Sequence, residues 1–224
     1  MIEIFILSII QGVTEFLPVS SSSHLIIISK YLNFENQSLS IDVSLHIGSF
    51  IAVITYFRKD IVNFIKNKEL FFKIFLSSIP VMLTGFLLVK FELINQLRNL
   101  QVIGWTTIIF GILLYISDKF SVENKIDNNF TIKSAIIIGV LQIFSLIPGV
   151  SRSGITITAA RILKFNRFDS AKISFFLSIP TLAAVSFFGF KNLYNSNNLD
   201  FSALNLISIF LSFIFSFITI KFFL

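Results

Sequence analysis

"TEFLPVSSSSHLIIIS", Thr14–Ser29, places four consecutive serines, a glutamate and a histidine between two strongly apolar runs. A membrane-spanning helix needs roughly 20 apolar residues, and hydrocarbon cannot satisfy the backbone polar groups that a broken helix exposes. Such backbone persists at membrane depth only where it is buried in protein or lines a polar cavity. The stretch therefore predicts a re-entrant helix–loop–helix hairpin over residues 2–29 rather than a simple span.

The composition places this hairpin in a membrane protein. Of the 224 residues, 54% are hydrophobic and 13% are charged, about half the charged fraction of a soluble domain. We predict an all-α polytopic membrane protein with a single membrane domain, residues 1–224. The sequence has no cysteine, which excludes disulfides and thiolate chemistry. The lysines are scattered between apolar runs despite a net charge of +6, so we expect no nucleic-acid partner.

A second broken segment covers residues 132–163, where "PGVSRSG" at Pro148–Gly154 interrupts an apolar run. It predicts a second re-entrant hairpin for the same physical reason. Five further segments are long and apolar enough to span the membrane: Ile41–Phe57, Phe71–Val89, Leu100–Ile116, Ala171–Phe190 and Leu204–Phe223.

The two breaks resemble each other in sequence. "PVSSSSHL" at Pro18–Leu25 aligns without gaps to "PGVSRSGI" at Pro148–Ile155, with serines at matching positions. This similarity predicts inverted-topology repeats, residues 1–130 and 131–224. In that topology thirteen basic residues fall on one side and four on the other. The positive-inside rule then places the first side in the cytoplasm and the mouth of the first hairpin outside.

The halves differ in their number of spans. Three predicted spans follow the first hairpin and two follow the second, before the sequence stops at "TIKFFL". We therefore expect five or six transmembrane helices, with a second half that is truncated at its C-terminus.

Polar groups at membrane depth mark a functional site by default. In the first break they are Gln11, Glu15, Ser20, Ser21, Ser22, Ser23 and His24, and in the second Ser151, Arg152, Ser153 and Thr156. Arg152 offers a fork of donors that suits phosphate oxygens. The serine hydroxyls and the backbone N–H groups at a helix N-terminus would add neutral donors.

Two kinds of chemistry fit these residues. Ser21 could attack phosphorus if His24 or Glu15 accepted its proton. Alternatively, Glu15 and Gln11 could hold a divalent cation through hard oxygen ligands. His46, in "DVSLHIGSF", has no polar neighbourhood in the sequence, and we expect it to serve in helix packing. Because broken helices in inverted repeats are also transporter architecture, a transporter or flippase for an anionic lipid or solute is the alternative to an enzyme.

"QGVTEFLPVSSSSHL" resembles the first signature of the bacterial undecaprenyl-diphosphate phosphatases of the bacitracin-resistance type, and "PGVSRSGIT", Pro148–Thr156, resembles their second signature at every fixed position. "DVSLHIGSFIAVITYFRKD" is similar to the helix that follows the first hairpin in that family. Ser23 stands where the family usually has a small glycine or alanine. The family normally continues beyond "IKFFL" into a final helix, which we expect to be absent from this chain.

The resemblance implies an integral enzyme of the bacterial plasma (inner) membrane, with its active site towards the periplasm. It would hydrolyse undecaprenyl diphosphate to undecaprenyl phosphate, which recycles the lipid carrier of peptidoglycan and other cell-wall glycans and confers bacitracin resistance. The family fold has interlocking inverted repeats, two re-entrant hairpins and six spans. A divalent cation, Ca2+ or Mg2+, would support activity, and a homodimer is compatible with the resemblance.

The resemblance also implies roles for individual residues. The essential group would be Glu15, Ser21, His24 and Arg152, with Ser21 as nucleophile and His24 as its base, or with His24 as nucleophile in a rival scheme. By the resemblance, Gln11, Ser151, Ser153 and Thr156 would line the same site. From the residues themselves we expect the phosphate ligands to be Ser20, Ser22, Ser151, Ser153 and Thr156, with Gln11 and Glu15 at the cation.

Overall fold

The computed structural model of the chain describes residues 1–35, 38–91, 99–195 and 203–223. In these residues the regular structure is helical, as predicted, with eleven α-helices and one 3-10 turn at Ile143–Leu146. The helices are α1 Ile2–Thr14, α2 Ser21–Leu32, α3 Leu39–Tyr56, α4 Arg58–Lys66, α5 Lys68–Lys90, α6 Leu100–Asp118, α7 Ile126–Asn129, α8 Ile132–Gln142, α9 Arg152–Ile162, α10 Arg167–Asn195 and α11 Ala203–Phe223.

The first predicted interruption is confirmed. Helix α1 ends at Thr14, the chain turns through Pro18, and Ser20 begins the next helix as its N-cap. The Ser20 hydroxyl accepts a hydrogen bond from the backbone N–H of Ser23 at 3.4 Å, which satisfies one of the donors that a helix start leaves open. Helices α1 and α2 then contact each other, so the segment folds back on itself.

The second interruption is confirmed as well, with one difference. Here Ser151 is the N-cap, and its hydroxyl accepts from the N–H of Gly154 at 3.1 Å. Gly149 has a φ of +96°, a conformation that glycine adopts without strain, and this turn adds one residue between the proline and the cap. The N-cap Ser20 therefore corresponds in structure to the N-cap Ser151. A gapless alignment that matches Pro18 with Pro148 pairs Ser21 with Ser151 instead, so it is wrong by one residue at the helix starts.

The predicted spans are helices of the expected length. Four helices are long and apolar enough to cross a membrane by length and composition: Lys68–Lys90, Leu100–Asp118, Arg167–Phe187 and Ala203–Phe222. Helix α3, with 18 residues, lies within the range of about 17 to 25 residues for spanning helices. The chain is therefore a multi-pass, all-α membrane protein.

Each hairpin is held by its own apolar cluster. Ile4, Leu7, Leu25 and Leu45 pack α1 and α2 against α3. A second cluster packs α8 and α9 against α5 and α10 through Ile138, Ala159, Ile74, Ile173 and Leu177. The buried side chains on either side of each break fix where its polar residues lie.

The first arm of each hairpin also crosses a long helix through a glycine. A Cβ on Gly12 of α1 would lie 2.7 Å from the backbone nitrogen of Ser216 in α11. A Cβ on Gly139 of α8 would lie 2.9 Å from the Cα of Ser77 in α5. Helix α1 of the first predicted half thus packs on α11 of the second, and α8 of the second half packs on α5 of the first. Interlocking repeats would give this arrangement. The division at residue 130 stays a prediction.

These crossings give a test of the packing. Gly12→Ala and Gly139→Ala are each expected to destabilise the protein by about 1–3 kcal/mol, because backbone atoms opposite the new methyl group must move. Gly104→Ala and Gly111→Ala, in α6 with nothing within 4 Å of the new Cβ, serve as matched controls. They should leave stability unchanged or raise it by up to about 1 kcal/mol through helix propensity. Thermal unfolding in detergent measures all four, and equal effects at crossing and control positions would contradict the interpretation.

Candidate active site

Glu15 joins the two broken segments. It follows α1 directly, is 8% exposed, and both of its carboxylate oxygens accept hydrogen bonds. Arg152 donates from Nη2 to Oε1 at 2.9 Å, while Ser21 donates from Oγ to Oε2 at 2.7 Å. Gln11 also donates from Nε2 to Oε2 at 3.1 Å. The structure thus brings together four residues that the sequence singled out from segments 137 residues apart.

Glu15 and Arg152 form a largely buried ion pair. The side chain of Glu15 is 6% exposed and that of Arg152 is 16% exposed. Removing either partner from such a pair leaves an uncompensated buried charge. The same guanidinium donates weakly to the Thr181 hydroxyl, at 3.4 Å, and so retains donor capacity beyond Glu15.

The starts of helices α2 and α9 meet at a cavity of about 200 Å³. Its polar lining comes from both breaks and from three neighbouring helices: Glu15, Ser20, Ser21, Ser22, His46, Gln142, Ser145, Ser151, Arg152 and Thr181. Helix N-termini favour anions because their first N–H groups have no partner within the helix. With two helix starts and an arginine, the cavity suits a phosphate group.

An apolar wall adjoins the polar lining. It consists of Val19, Val81, Leu146, Val150, Leu182 and Val185. A cavity with charged donors beside an aliphatic wall matches a ligand that joins a polar group to a hydrocarbon chain. This pattern agrees with a phosphorylated lipid.

His24 lies one turn beyond Ser21 and is exposed. Its Nδ1 is 2.7 Å from the backbone carbonyl of Ser20, a contact in which Nδ1 must donate its proton. The other ring nitrogen, Nε2, is then the one that can accept a proton. The Ser21 hydroxyl points to Glu15 instead, so the geometry pairs Ser21 with Glu15, the second of the two bases that the sequence left open.

Two predicted phosphate ligands make protein contacts in this structure. Ser153 donates from Oγ to the carbonyl of Leu17 at 2.5 Å, and Thr156 donates to the hydroxyl of Ser174 at 2.8 Å. Neither residue is among the described residues that line the cavity. Both hydroxyls tie α9 to its surroundings, and their phosphate-binding role stays a prediction.

His46 corrects an expectation from the sequence. It lies in α3, lines the cavity, and its Nδ1 is 3.0 Å from Gln11 Nε2 and 3.8 Å from Glu15 Oε2. The expectation of no polar neighbourhood was wrong because it considered only neighbours along the chain, whereas the partners are Gln11 in α1 and Glu15 directly after that helix. A histidine in a spanning segment was itself a signal for function.

Three further cavity residues had no assigned role. Gln142 and Ser145, at the end of α8 and in the 3-10 turn, lie on one helix face because they are three residues apart. Thr181 follows Pro180 inside α10. The sequence gives no direct signal for Thr181, since its place in the site depends on how α10 packs against α9.

The fold and cavity define a polytopic helical membrane protein with a site for an anionic group between two broken helices. The family model described as bacitracin resistance protein BacA matches residues 4–224. The chain belongs to this family.

Curated relatives are similar over most of their length. The chain is 50% identical over 224 residues to an undecaprenyl-diphosphatase of Pelagibacter ubique, covering 100% of this chain and 87% of the relative. It is 44% identical over 204 residues to one of Saccharophagus degradans, covering 85% and 77%. It is 41% identical over 236 residues to one of Aliivibrio salmonicida, covering 99% and 88%.

Proposed function

We propose that the chain hydrolyses undecaprenyl diphosphate to undecaprenyl phosphate and phosphate, and thereby returns the lipid carrier to cell-wall synthesis. The observation that carries this proposal is the contact of Ser21 and Arg152 with Glu15 in a cavity that has an apolar wall. The names of the relatives support the same substrate. They give no support to the transporter or flippase alternative.

In the proposed reaction, Arg152 gives up its hydrogen bond to Glu15 Oε1 and donates to oxygens of the terminal phosphate instead. This exchange frees the carboxylate to accept the Ser21 proton while Ser21 Oγ attacks the terminal phosphorus. The bond from that phosphorus to the bridging oxygen breaks, and undecaprenyl phosphate leaves with the electron pair. The arginine and the two helix N-termini stabilise the charge on the transferred phosphoryl group, which is where most phosphoryl-transfer catalysis arises.

The second step restores the enzyme. Water attacks the phosphoserine, the Ser21–phosphorus bond breaks, Ser21 Oγ takes back the proton that Glu15 accepted, and inorganic phosphate is released. His24 offers Nε2 as the base for this water, since its Nδ1 is held by the Ser20 carbonyl. This scheme keeps Ser21 as nucleophile but gives the first proton to Glu15 rather than to His24.

A divalent cation fits the site in part. Gln11 Oε1 is buried without a hydrogen-bond partner among the described residues, and the Nε2 of the same amide donates to the Glu15 carboxylate, so these two residues would hold Ca2+ or Mg2+. The described residues contain no group of three or more histidines, aspartates or glutamates that could form a full cage. Mg2+ sites are often completed by substrate phosphates and water. When bound, the cation would neutralise phosphate charge.

The proposed location is the bacterial inner membrane with the cavity open towards the periplasm. The charge bias of the loops in the sequence supports this orientation. A homodimer stays a prediction.

Purified protein in detergent is expected to release phosphate from a C55 isoprenyl diphosphate, with reduced release after chelation of divalent cations. The parallel measurement is lipid movement across protein-containing liposomes made with a non-hydrolysable diphosphate analogue. Movement of the analogue without any phosphate release from the substrate would overturn the proposal in favour of transport.

A further inference from the structure

Gln142 is one of the polar cavity residues to which the proposed reaction gives no role. It is the last residue of α8 and is 0% exposed. Neither its Nε2 nor its Oε1 has a hydrogen-bond partner among the described residues. Burying an unpaired amide is unfavourable, so two unpaired polar atoms on one buried side chain that lines a cavity call for a partner such as a bound ligand.

The surroundings of Gln142 indicate which part of a ligand it meets. Ser145 follows it by three residues, the spacing that aligns side chains in a 3-10 turn, and Ser145 and Leu146 both line the cavity with it. Val81 of α5 adds a second aliphatic side chain. Gln142 thus belongs to the part of the cavity where polar and apolar lining meet.

Three other polar residues form a separate network around Glu15, and two of them, Ser21 and Arg152, line the cavity with it. Ser21, Arg152 and Gln11 all donate to Glu15, and Gln142 makes no hydrogen bond to this network. A lipid diphosphate carries two phosphates, and the one attached to the hydrocarbon chain must lie nearer the apolar wall. The terminal phosphate then occupies the Glu15 network, and the lipid-side phosphate reaches Gln142.

We propose that Gln142, with Ser145 beside it, binds the phosphate that stays on the lipid, by donating from Nε2 to one of its oxygens. This inference rests on the proposed function. Because that phosphate gains charge as the bridging bond breaks, the amide donor also stabilises the leaving group. The site would thereby favour a diphosphate over a monophosphate of the same lipid.

The test uses the two products as separate probes of the two phosphate positions. In Gln142→Leu, the inhibition constant of undecaprenyl phosphate is expected to rise about tenfold or more, as for loss of a hydrogen bond to a charged group. The inhibition constant of inorganic phosphate should change less than twofold. The unfolding temperature without ligand should stay the same or rise, because the unpaired buried amide is removed.

Gln142→Glu provides a second variant of nearly the same volume. Its added negative charge should raise the inhibition constant of undecaprenyl phosphate at least as much as Gln142→Leu does. Gln101→Leu, the same exchange at an exposed position of α6, is the matched control and should change neither constant. An unchanged constant for undecaprenyl phosphate in both Gln142 variants would overturn the inference. So would an equal rise for inorganic phosphate, or a lower unfolding temperature in Gln142→Leu, which would indicate a structural amide.

The two proposals fail in different ways. Wild-type protein without phosphate release would refute the proposed function. The rise in unfolding temperature on adding undecaprenyl phosphate still reports binding in that case, and it should be smaller in both Gln142 variants than in wild type. An active wild type with unaltered product inhibition in the variants refutes the inference alone.

Discussion

Arg152→Ala is expected to lower kcat for phosphate release by roughly 10³- to 10⁵-fold, the range for removal of an arginine that stabilises a transferred phosphoryl group. The reason is its position as the first residue of α9, where it lines the cavity and its Nη2 is 2.9 Å from Glu15 Oε1. Arg152→Lys keeps the charge but loses the planar fork of donors, so its kcat should lie between those of wild type and the alanine variant. Initial rates with a C55 isoprenyl diphosphate measure both.

Arg152→Ala should also destabilise the protein, because it leaves the buried Glu15 carboxylate unpaired. Breaking a buried pair in this way costs about 3–5 kcal/mol. The double variant Glu15→Gln/Arg152→Ala removes both charges and should regain much of that stability while remaining inactive. Comparing the stability and activity of the single and double variants therefore separates an effect on folding from an effect on catalysis.

Arg167→Ala is the matched control. Its guanidinium pairs with Asp118, but its side chain is 77% exposed, and an exposed pair contributes little to stability. Activity close to wild type in this control is expected. Arg152→Ala with more than a tenth of wild-type kcat would remove Arg152 from the proposed mechanism.

The two breaks were predictable from the sequence because polar runs within apolar segments have few stable arrangements in a membrane. The helices end and restart within a few residues of Pro18 and Pro148 as a result. The one-residue offset between the helix starts was not predictable from the aligned prolines. It depends on the left-handed backbone of Gly149, which packs against α6.

Only some of the residues that form the site could be predicted from the sequence. Glu15, Ser21 and Arg152 could be selected because each is a polar group at membrane depth, and the structure places them in contact. His46 and Gln142 reach the cavity from α3 and α8. Their roles depend on which helices pack together over long sequence separations, and local spacing holds no record of that packing.

Ser21→Ala is expected to lower kcat by about 10⁴-fold or more, because removing a nucleophile leaves only binding and electrostatic stabilisation. The Ser21 hydroxyl donates to Glu15 at 2.7 Å, the arrangement of a nucleophile with its base. Ser29→Ala, in the same helix and with a buried hydroxyl that has no partner among the described residues, is the control. It should retain activity close to wild type.

Trapping the covalent intermediate decides between the two nucleophiles. Rapid quenching of wild type with a substrate labelled in the terminal phosphate should leave the label on Ser21 as an acid-stable phosphoserine. If His24 were the nucleophile, the label would be acid-labile and would persist in Ser21→Ala, which would then lose far less activity. Because Ser21 contacts Glu15 while the Nδ1 of His24 is held by a backbone carbonyl, we expect the acid-stable product and its absence in Ser21→Ala.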